Sequence, residues 1–266
     1  MSIKNILITG DDGYNSIGTR LLAHFLKNKY SLKIAATKRQ QSGVGGKMTI
    51  NQKIKWGKSL IDGVEAIWVD STPADVINFS KQYFKKKFDL IISGMNLGPN
   101  ISNGVLSSGT YTAAFRAINL GLADKALAIS LNCSPEEWYK VGNLNENIKS
   151  RLNYPGKILM EIIHLAIQNN FWDCRLLNIN FPEKESRKIK FTKPNPNICD
   201  SYVCDCDINE TEHYYTHFGG VSTKKSNSCF DNGAMQKGFI SITPCQDSIL
   251  ETNIYSKLKD VVLKLS

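Results

Sequence analysis

Apolar strands and amphipathic helices alternate along the first half of the chain, and this alternation constrains the fold more than any other feature. Each predicted strand is apolar along its whole length rather than at every second residue, which is typical of parallel strands covered on both faces. The pattern therefore predicts an α/β fold with a mostly parallel sheet between two layers of helices. Strands are predicted at residues 3–9, 32–37, 66–70, 88–94 and 126–132, and helices at residues 17–29, 72–84 and 108–121.

Local signals fix the ends of two of these helices. Thr72 is a suitable N-cap with Pro73 at the first helical position, and Gly121 ends the helix that begins at residue 108. Residues 39–57 are predicted as a glycine-rich loop within which a hairpin is also considered. Ligands of parallel α/β folds bind beyond the carboxyl ends of the strands, so we expect functional residues in the loops that follow the strands.

The pattern changes after about residue 150. A helix is predicted at residues 157–170, and strands at residues 176–181 and 239–244. No linker rich in glycine and serine separates a second unit, so a single domain spanning residues 1–266 is expected. Its core is predicted at about residues 1–182 plus 236–250, its hairpin extension at about 183–235, and a terminal helix at about 254–265. These late segments are expected to extend the main domain or to contact a partner subunit.

The composition is that of an ordinary globular domain. The chain has 266 residues, of which 42% are hydrophobic and 21% are charged. No apolar run approaches the roughly 20 residues that cross a bilayer, and the apolar N-terminal segment is too short for a signal peptide. We therefore expect a cytoplasmic protein with no membrane partner.

The charge and the cysteines limit the partners further. A formal net charge of +9 favours anionic partners, but the lysines are spread out, so a small phosphate-bearing molecule is expected and a nucleic-acid polymer is not. The seven cysteines are odd in number and scattered, which favours reduced thiols. The cluster at residues 199–206, with His213, His217 and Cys229 downstream, matches no common zinc spacing.

Two adjacent carboxylates, Asp11 and Asp12, follow the first predicted strand. Like charges in a partly buried place repel each other strongly unless protons or a cation compensate. Gly13 follows and lets the backbone turn, so that both side chains can face one point. One interpretation is a divalent cation that prefers oxygen ligands, Mg²⁺, Mn²⁺ or Ca²⁺. The other is that Asp11 caps the next helix while Asp12 faces water.

Neutral oxygen donors follow later strands. Ser42 lies in the glycine-rich loop, and Asn96 lies just after the strand at residues 88–94. The helix at residues 108–121 opens with hydroxyl side chains and free N–H groups over residues 107–110, which is a ready anion site. Capping by Ser108 alone is the simpler alternative. Together these loops predict a metal ion held against a phosphate.

The stretches that carry these residues resemble the SurE family, metal-dependent phosphatases described as 5′/3′-nucleotidases. The resemblance covers nearly the whole chain, in the order and spacing of the family. The matching stretches are ILITGDDGY near the start, QSGVGGKMT in the second loop, TPAD at 72–75, DLIISGMNLGPN at 89–100, SGTYTAA at 108–114, LLNINFP at 176–182 and GFISITP at 238–244.

The resemblance implies a fold, a metal site and an assembly. It implies a Rossmann-like three-layer core, a protruding hairpin region, and a homodimer or homotetramer built through the C-terminal part. It also implies one divalent metal ion per subunit, for which we expect Mg²⁺ or Mn²⁺. The implied metal ligands are Asp11, Asp12, Ser42 and Asn96.

Some positions depart from the family pattern. Gly10 stands where an asparagine usually precedes the aspartate pair, which removes an amide that could bond the ligands or the phosphate. Ser71 replaces a glycine before TPAD, and Cys245 and Gln246 replace apolar residues. Residues 195–235 resemble the family least.

The predicted metal and phosphate residues support phosphomonoester hydrolysis, and the resemblance implies nucleoside 5′- or 3′-monophosphates as substrates, with short polyphosphate as a further substrate class. The metal would bind a phosphate oxygen and lower the pKa of a bound water. Four residues are assigned to bind the remaining phosphate oxygens: Asn100, Ser108, Gly109 and Thr110. Lys47 either adds positive charge or lies on the surface. No histidine lies near these motifs in the sequence, so no general acid is named.

Three alternatives stay open. A haloacid-dehalogenase-type phosphatase needs Asp-x-Asp, whereas these aspartates are adjacent. A non-catalytic Rossmann module needs G-x-G-x-x-G after the first strand, where this chain has GDDGYNSIG. A degenerate SurE relative would bind nucleotide or metal with little turnover, an alternative motivated by Gly10.

Overall fold

The structure, a computed structural model, describes residues 2–138, 146–217 and 219–245 and contains two β-sheets. In the first half the strands are β1 Asn5–Thr9, β2 Ser31–Thr37, β3 Trp56–Ile61, β4 Val64–Val69, β5 Phe88–Leu97 and β6 Ala123–Leu131. In the second half they are β7 Leu176–Phe181, β8 Ile189–Phe191, β9 Cys206–Asn209, β10 Tyr214–His217 and β11 Ile240–Cys245.

The main sheet has nine strands in the order β3-β4-β2-β1-β5-β6-β7-β11-β8. Every neighbouring pair from β4 to β7 is parallel, while β3 and β11 run antiparallel to β4 and β7. The prediction of an α/β fold with a mostly parallel sheet is therefore confirmed.

Helices cover both faces of the sheet. They are α1 Ile17–Leu26, α2 Pro73–Phe84, α3 Gly109–Asn119, α4 Pro135–Trp138, α5 Lys149–Arg151, α6 Ile158–Gln168 and α7 Asp231–Gln236. Short 3₁₀ turns lie at Ser102–Ser107, Asn170–Asp173 and Ile198–Asp200, and a π-type turn at Leu152–Lys157.

The core divides into one layer on each face because side chains alternate along each strand. Ile6 and Ile8 of β1 pack in the cluster that contains α1 and α6, whereas Leu7 packs in the cluster that contains α2 and α3. All three side chains are fully buried. This explains why the strand is apolar at consecutive positions, and it gives the predicted three-layer arrangement.

Two strands differ from the prediction. The hairpin considered within residues 39–57 instead joins β3 to β4, with Trp56 opposite Val69 and Ile61 opposite Val64. β3 is an edge strand whose side chains are largely exposed, so its apolar signal is weak. The short edge strand β8 comes from the predicted extension and pairs in parallel with β11.

The late part of the chain adds a separate hairpin. β9 and β10 form a two-stranded antiparallel sheet from Cys206 opposite His217 to Asn209 opposite Tyr214. The terminal helix predicted at about 254–265, and Gln246, lie outside the described residues. Within the part of the chain that the structure describes, no helix is both long enough and apolar enough to cross a membrane.

Candidate active site at the carboxyl edge of the sheet

Asp11 and Asp12 lie at the carboxyl end of β1, in the middle of the sheet. Both are buried, with 4% and 7% of their surface exposed. Burial raises the pKa of Asp11 and, together with the Asp11 charge, raises the pKa of Asp12 well above its usual range. Two buried carboxylates that disfavour each other's charge need a positive partner or a proton.

The start of α3 partly compensates the buried negative charge of Asp11. The Thr110 hydroxyl donates a hydrogen bond to Oδ1 of Asp11, and the backbone N–H groups of Gly109 and Thr110 also lower the pKa of Asp11. The absence of a side chain at Gly109 allows this approach, because a Cβ there would lie 2.7 Å from Asp11 Oδ2. The helix N-terminus therefore lies directly against the carboxylate.

Asp12 and Asn96 each keep one oxygen unpaired. Asp12 Oδ2 accepts a hydrogen bond from the Leu97 N–H at 2.9 Å, and Asn96 Nδ2 donates to the Gly98 carbonyl at 2.7 Å. Asp12 Oδ1 and Asn96 Oδ1 are both buried, and neither has a hydrogen-bond partner among the described residues. Buried unpaired acceptors are costly, so this donor set fits a cation that prefers oxygen.

Backbone hydrogen bonds of its own loop hold Ser42 beside the carboxylates. The Gln41 N–H donates to the Asp11 carbonyl at 2.7 Å, and the Gly45 N–H donates to the Ser107 carbonyl at 2.9 Å. Gln40 Nε2 donates to Ser42 Oγ. The predicted glycine-rich loop is thereby fixed against both β1 and the segment that precedes α3.

A cavity of about 300 Å³ opens at this edge of the sheet. Among the predicted site residues it is lined by Asp11, Ser42, Asn96, Asn100 and Ser108. Gly109 and Thr110 lie behind Asp11 and contact it. Asp12 accepts a hydrogen bond from Leu97, the residue that follows Asn96. The exposed Lys47 is not part of the cavity lining.

The residues predicted to hold phosphate already have protein partners. Ser108 Oγ accepts from the Tyr111 N–H at 3.0 Å and so caps α3, as the simpler alternative predicted. Asn100 Nδ2 donates to Ser130 Oγ at 2.8 Å. The Thr110 hydroxyl is engaged by Asp11. Their role toward phosphate stays a prediction.

Two asparagines that the sequence reasoning missed hold the loop after β5. Asn178 and Asn180 on β7 both donate side-chain hydrogen bonds to the Asn100 carbonyl, at 2.8 and 2.9 Å. Asn180 Oδ1 also accepts from the Asn100 N–H at 2.8 Å. Two asparagines at alternate positions of an apolar strand share one face, and that spacing was the available signal.

Residues from the late part of the chain complete the cavity wall. Tyr202 and His217 both line it. In the sequence they stand out only as part of the cysteine- and histidine-rich stretch that matches no zinc spacing, so a histidine does lie at this site although none lies near its motifs in the sequence. All seven cysteines are free, with Cys199 Sγ 3.2 Å from Cys204 Sγ. In residues 2–138, 146–217 and 219–245 no group of three or more His, Cys, Asp and Glu side chains could hold a metal ion. The donor set at β1 thus depends on neutral oxygens beside its two carboxylates.

The fold and this site define a class: a Rossmann-like α/β protein with paired buried carboxylates at the carboxyl edge of its parallel strands. The family model described as Survival protein SurE matches residues 6–200. The chain belongs to the SurE family.

Relatives and a solved structure extend the match over almost the whole chain. A protein of Syntrophomonas wolfei named 5′-nucleotidase SurE is 27% identical over 96% of this chain and 93% of its own length. A protein of the same name from Archaeoglobus fulgidus is 30% identical over 90% of each chain. The crystal structure of the SurE protein from Aquifex aeolicus superimposes with a TM-score of 0.74, at 23% identity, over 96% of this chain and 98% of that one.

Proposed function

We propose that this protein is a metal-dependent phosphomonoesterase that hydrolyses nucleoside 5′- or 3′-monophosphates to nucleoside and phosphate. The observation that carries the proposal is the pair of buried, unpaired oxygens, Asp12 Oδ1 and Asn96 Oδ1, beside the second buried carboxylate of Asp11. The names of the relatives from S. wolfei and A. fulgidus support the nucleotide substrate. Short polyphosphate is a further substrate class to be tested.

The residues that would hold one divalent ion per subunit, Mg²⁺ or Mn²⁺, are Asp11, Asp12, Ser42 and Asn96. All four offer oxygen atoms, which suits both ions. When bound, such an ion supplies positive charge to a phosphate oxygen and lowers the pKa of water.

The start of α3 contributes to phosphate binding in this proposal. Its N–H groups at Gly109 and Thr110 face Asp11, and helix N-termini favour negative charge. Asn100 and Ser108 line the same cavity, and we assign them to phosphate binding as well. These residues would orient the phosphate and exclude water from part of its surface.

A substrate panel tests the proposal. Phosphate release is measured from 5′- and 3′-nucleotides, short polyphosphate and simple phosphomonoesters, with Mg²⁺, with Mn²⁺ and with chelator. Asp11→Asn and Asp12→Asn are expected to lose at least about 100-fold in kcat/KM. Asp70→Asn is the matched control, because Asp70 pairs with Lys38 at 3.2 Å away from the cavity. Activity that withstands chelator and both substitutions would contradict the proposal.

The same panel separates the alternatives. Nucleotide binding without phosphate release would identify a degenerate relative, and Gly10→Asn would then show whether the departure at position 10 is responsible. A Cβ at Gly10 would meet its nearest neighbour, the Gly94 nitrogen, at 3.4 Å, an ordinary contact. Trapping of a phospho-aspartate would identify haloacid-dehalogenase chemistry.

We infer a single-domain subunit that assembles as a homodimer or homotetramer in the cytoplasm. The hairpin β9–β10 supports assembly, because Ile208, Tyr214 and Tyr215 expose 64%, 52% and 71% of their surface. The seven free thiols support a reducing compartment. Light scattering coupled to size-exclusion chromatography measures the assembly, and a monomer at all concentrations would contradict it.

A further inference from the structure

The cavity at the carboxyl edge has an apolar wall that the phosphate chemistry does not use. Beside the polar residues already described, Trp138, Ile198, Tyr202 and Val203 line it. A volume of about 300 Å³ lies at the lower end of small-molecule sites. A phosphate and a metal ion need polar surroundings, so this wall faces another part of the ligand.

Trp138 is held in place on three sides. Its indole Nε1 donates to the Cys133 carbonyl at 3.0 Å. A Cβ built on Gly98 would lie 3.2 to 3.3 Å from three atoms of the five-membered indole ring at once, so Gly98 lies under one face of the ring. The Trp138 carbonyl accepts from Gln40 Nε2 at 3.0 Å, and the same Gln40 nitrogen donates to Ser42 Oγ.

These contacts leave the indole with no unsatisfied polar atom and one face covered by the chain. The side chain is nevertheless only partly buried and borders the cavity. A flat, apolar ring surface held rigidly beside a phosphate site is a platform for another flat ring. Nucleobases stack on aromatic side chains in this way, whatever the identity of the base.

A second aromatic side chain is anchored to the same loop. The Tyr202 hydroxyl donates to the Pro99 carbonyl at 2.7 Å and accepts from the Ile101 N–H at 3.1 Å. Pro99 and Ile101 flank Asn100, which lines the cavity. The apolar wall therefore keeps a fixed position relative to the residues that would bind phosphate.

We propose that Trp138 is the stacking platform for the nucleobase and so determines that this enzyme prefers nucleotides over phosphomonoesters without a base. The proposal rests on the proposed nucleotidase function. No side-chain donor or acceptor is needed for stacking, so discrimination between bases comes from ring size. Purine nucleotides bury more apolar surface than pyrimidine nucleotides and are preferred.

Kinetics test the platform through a ratio. The kcat/KM for AMP is divided by that for ribose 5-phosphate, which carries the same phosphate and sugar without a base. Trp138→Ala is expected to lower this ratio by about 10-fold, mainly through the KM for AMP. Trp138→Phe is expected to recover most of it, because a phenyl ring also stacks. An unchanged ratio in Trp138→Ala would overturn the proposal.

Fluorescence tests the same contact without catalysis. Adenosine, which has no phosphate to hydrolyse, is titrated into the full chain, and quenching of tryptophan emission is recorded. Trp172→Phe is the matched control, because Trp172 is a partly buried tryptophan that packs against Phe191 and is not part of the cavity lining. Quenching should persist in Trp172→Phe and disappear in Trp138→Phe. Equal quenching in both variants would contradict the platform.

The two measurements also keep this inference apart from the nucleotidase proposal. A wild-type protein that hydrolyses neither AMP nor ribose 5-phosphate with Mn²⁺ would refute the activity. Adenosine quenching that depends on Trp138 would then still establish the base platform, and its absence would refute the platform as well.

Discussion

The Thr110 hydroxyl donates a hydrogen bond to Oδ1 of Asp11 and so joins the first turn of α3 to the end of β1, across 99 positions of sequence. Thr110 is fully buried, and Asp11 is nearly so. The backbone of the same helical turn, at Gly109, lies against the other oxygen of the carboxylate. The orientation of Asp11 is therefore set by a helix that lies about 100 residues further along the sequence.

Removal of the Thr110 hydroxyl is expected to weaken the metal site. Thr110→Val keeps the shape of the side chain and deletes the hydrogen bond to Asp11, so the affinity for Mn²⁺ should fall by about 10- to 100-fold. Thr110→Ser keeps the hydroxyl and is the matched control. Titration calorimetry measures the affinity, and equal values for the two variants would contradict a positioning role.

A side chain at position 109 should displace Asp11. The added Cβ of Gly109→Ala would lie 2.7 Å from Asp11 Oδ2 and 2.9 Å from Pro73 Cγ. We expect a loss of about 1–3 kcal/mol in the free energy of unfolding and a parallel loss of phosphatase activity. Gly46→Ala is the control, because a Cβ there meets nothing within 4 Å. Denaturant unfolding and kcat/KM measure the two effects.

Asp12→Asn should make the metal-free protein more stable and should remove most of the stabilisation that a bound metal ion provides. The substitution removes one of two like charges that are buried together. In the wild type, Mn²⁺ at about 100 times its Kd should add about 2.7 kcal/mol to the free energy of unfolding. In Asp12→Asn we expect less than about a third of that gain. Thermal unfolding with chelator and with Mn²⁺ measures both, and a full metal response in the variant would contradict the ligand role.

Asp75 should stabilise α2 in a pH-dependent way. Thr72 and Asp75 form a capping box at the start of the helix, and Asp75 also accepts from the Thr49 N–H at 3.1 Å. Burial acts to raise the pKa of Asp75, but hydrogen bonds from Ser71, Thr49 and Thr72 outweigh it and leave the pKa lowered. An acid with a lowered pKa in the folded state stabilises above its unfolded pKa, near 3.9, and this contribution is lost as the pH falls through the folded value.

Asp75→Asn is accordingly expected to lower the free energy of unfolding by about 1 kcal/mol at pH 7. The difference from wild type should shrink below about pH 4, where the wild-type carboxyl takes up a proton. Asp70→Asn is the control, since the Asp70 side chain makes a surface ion pair with Lys38 and the substitution leaves its backbone hydrogen bond in place. A difference that stays constant down to pH 3 would show that charge is not the cause.

Local signals predicted the helices more accurately than the edge strands. The helix expected at residues 72–84 is α2, which begins at Pro73 after its Thr72 cap, because both signals act within one turn. β3 and β8 were missed because they are edge strands with largely exposed side chains. Ser71, a departure from the family pattern, gains a structural reason, since its hydroxyl donates to Asp75.

The site was predictable where topology alone brings residues together. Asp11 and Ser42 follow parallel strands, so they meet at one edge of the sheet as expected. Asn96 reaches the same edge from within β5, which extends to Leu97 past the predicted end at residue 94, with a register shift between Ser93 and Asn96. The partner of the Thr110 hydroxyl was not predictable, because it depends on how α3 packs against β1. His217 and Tyr202 reach the cavity from a part of the chain with no strand signal of its own, so no spacing in the sequence could have placed them there.

The anchoring of Tyr202 on the backbone at Pro99 and Ile101 has a consequence for how the enzyme can diverge. The family model ends at residue 200, just short of this tyrosine. Substitutions at Tyr202 and at Val203 beside it would thus reshape the apolar wall of the cavity without touching the four residues proposed to hold metal. If the proposed site is correct, substrate preference and hydrolytic chemistry therefore depend on separate segments of the chain.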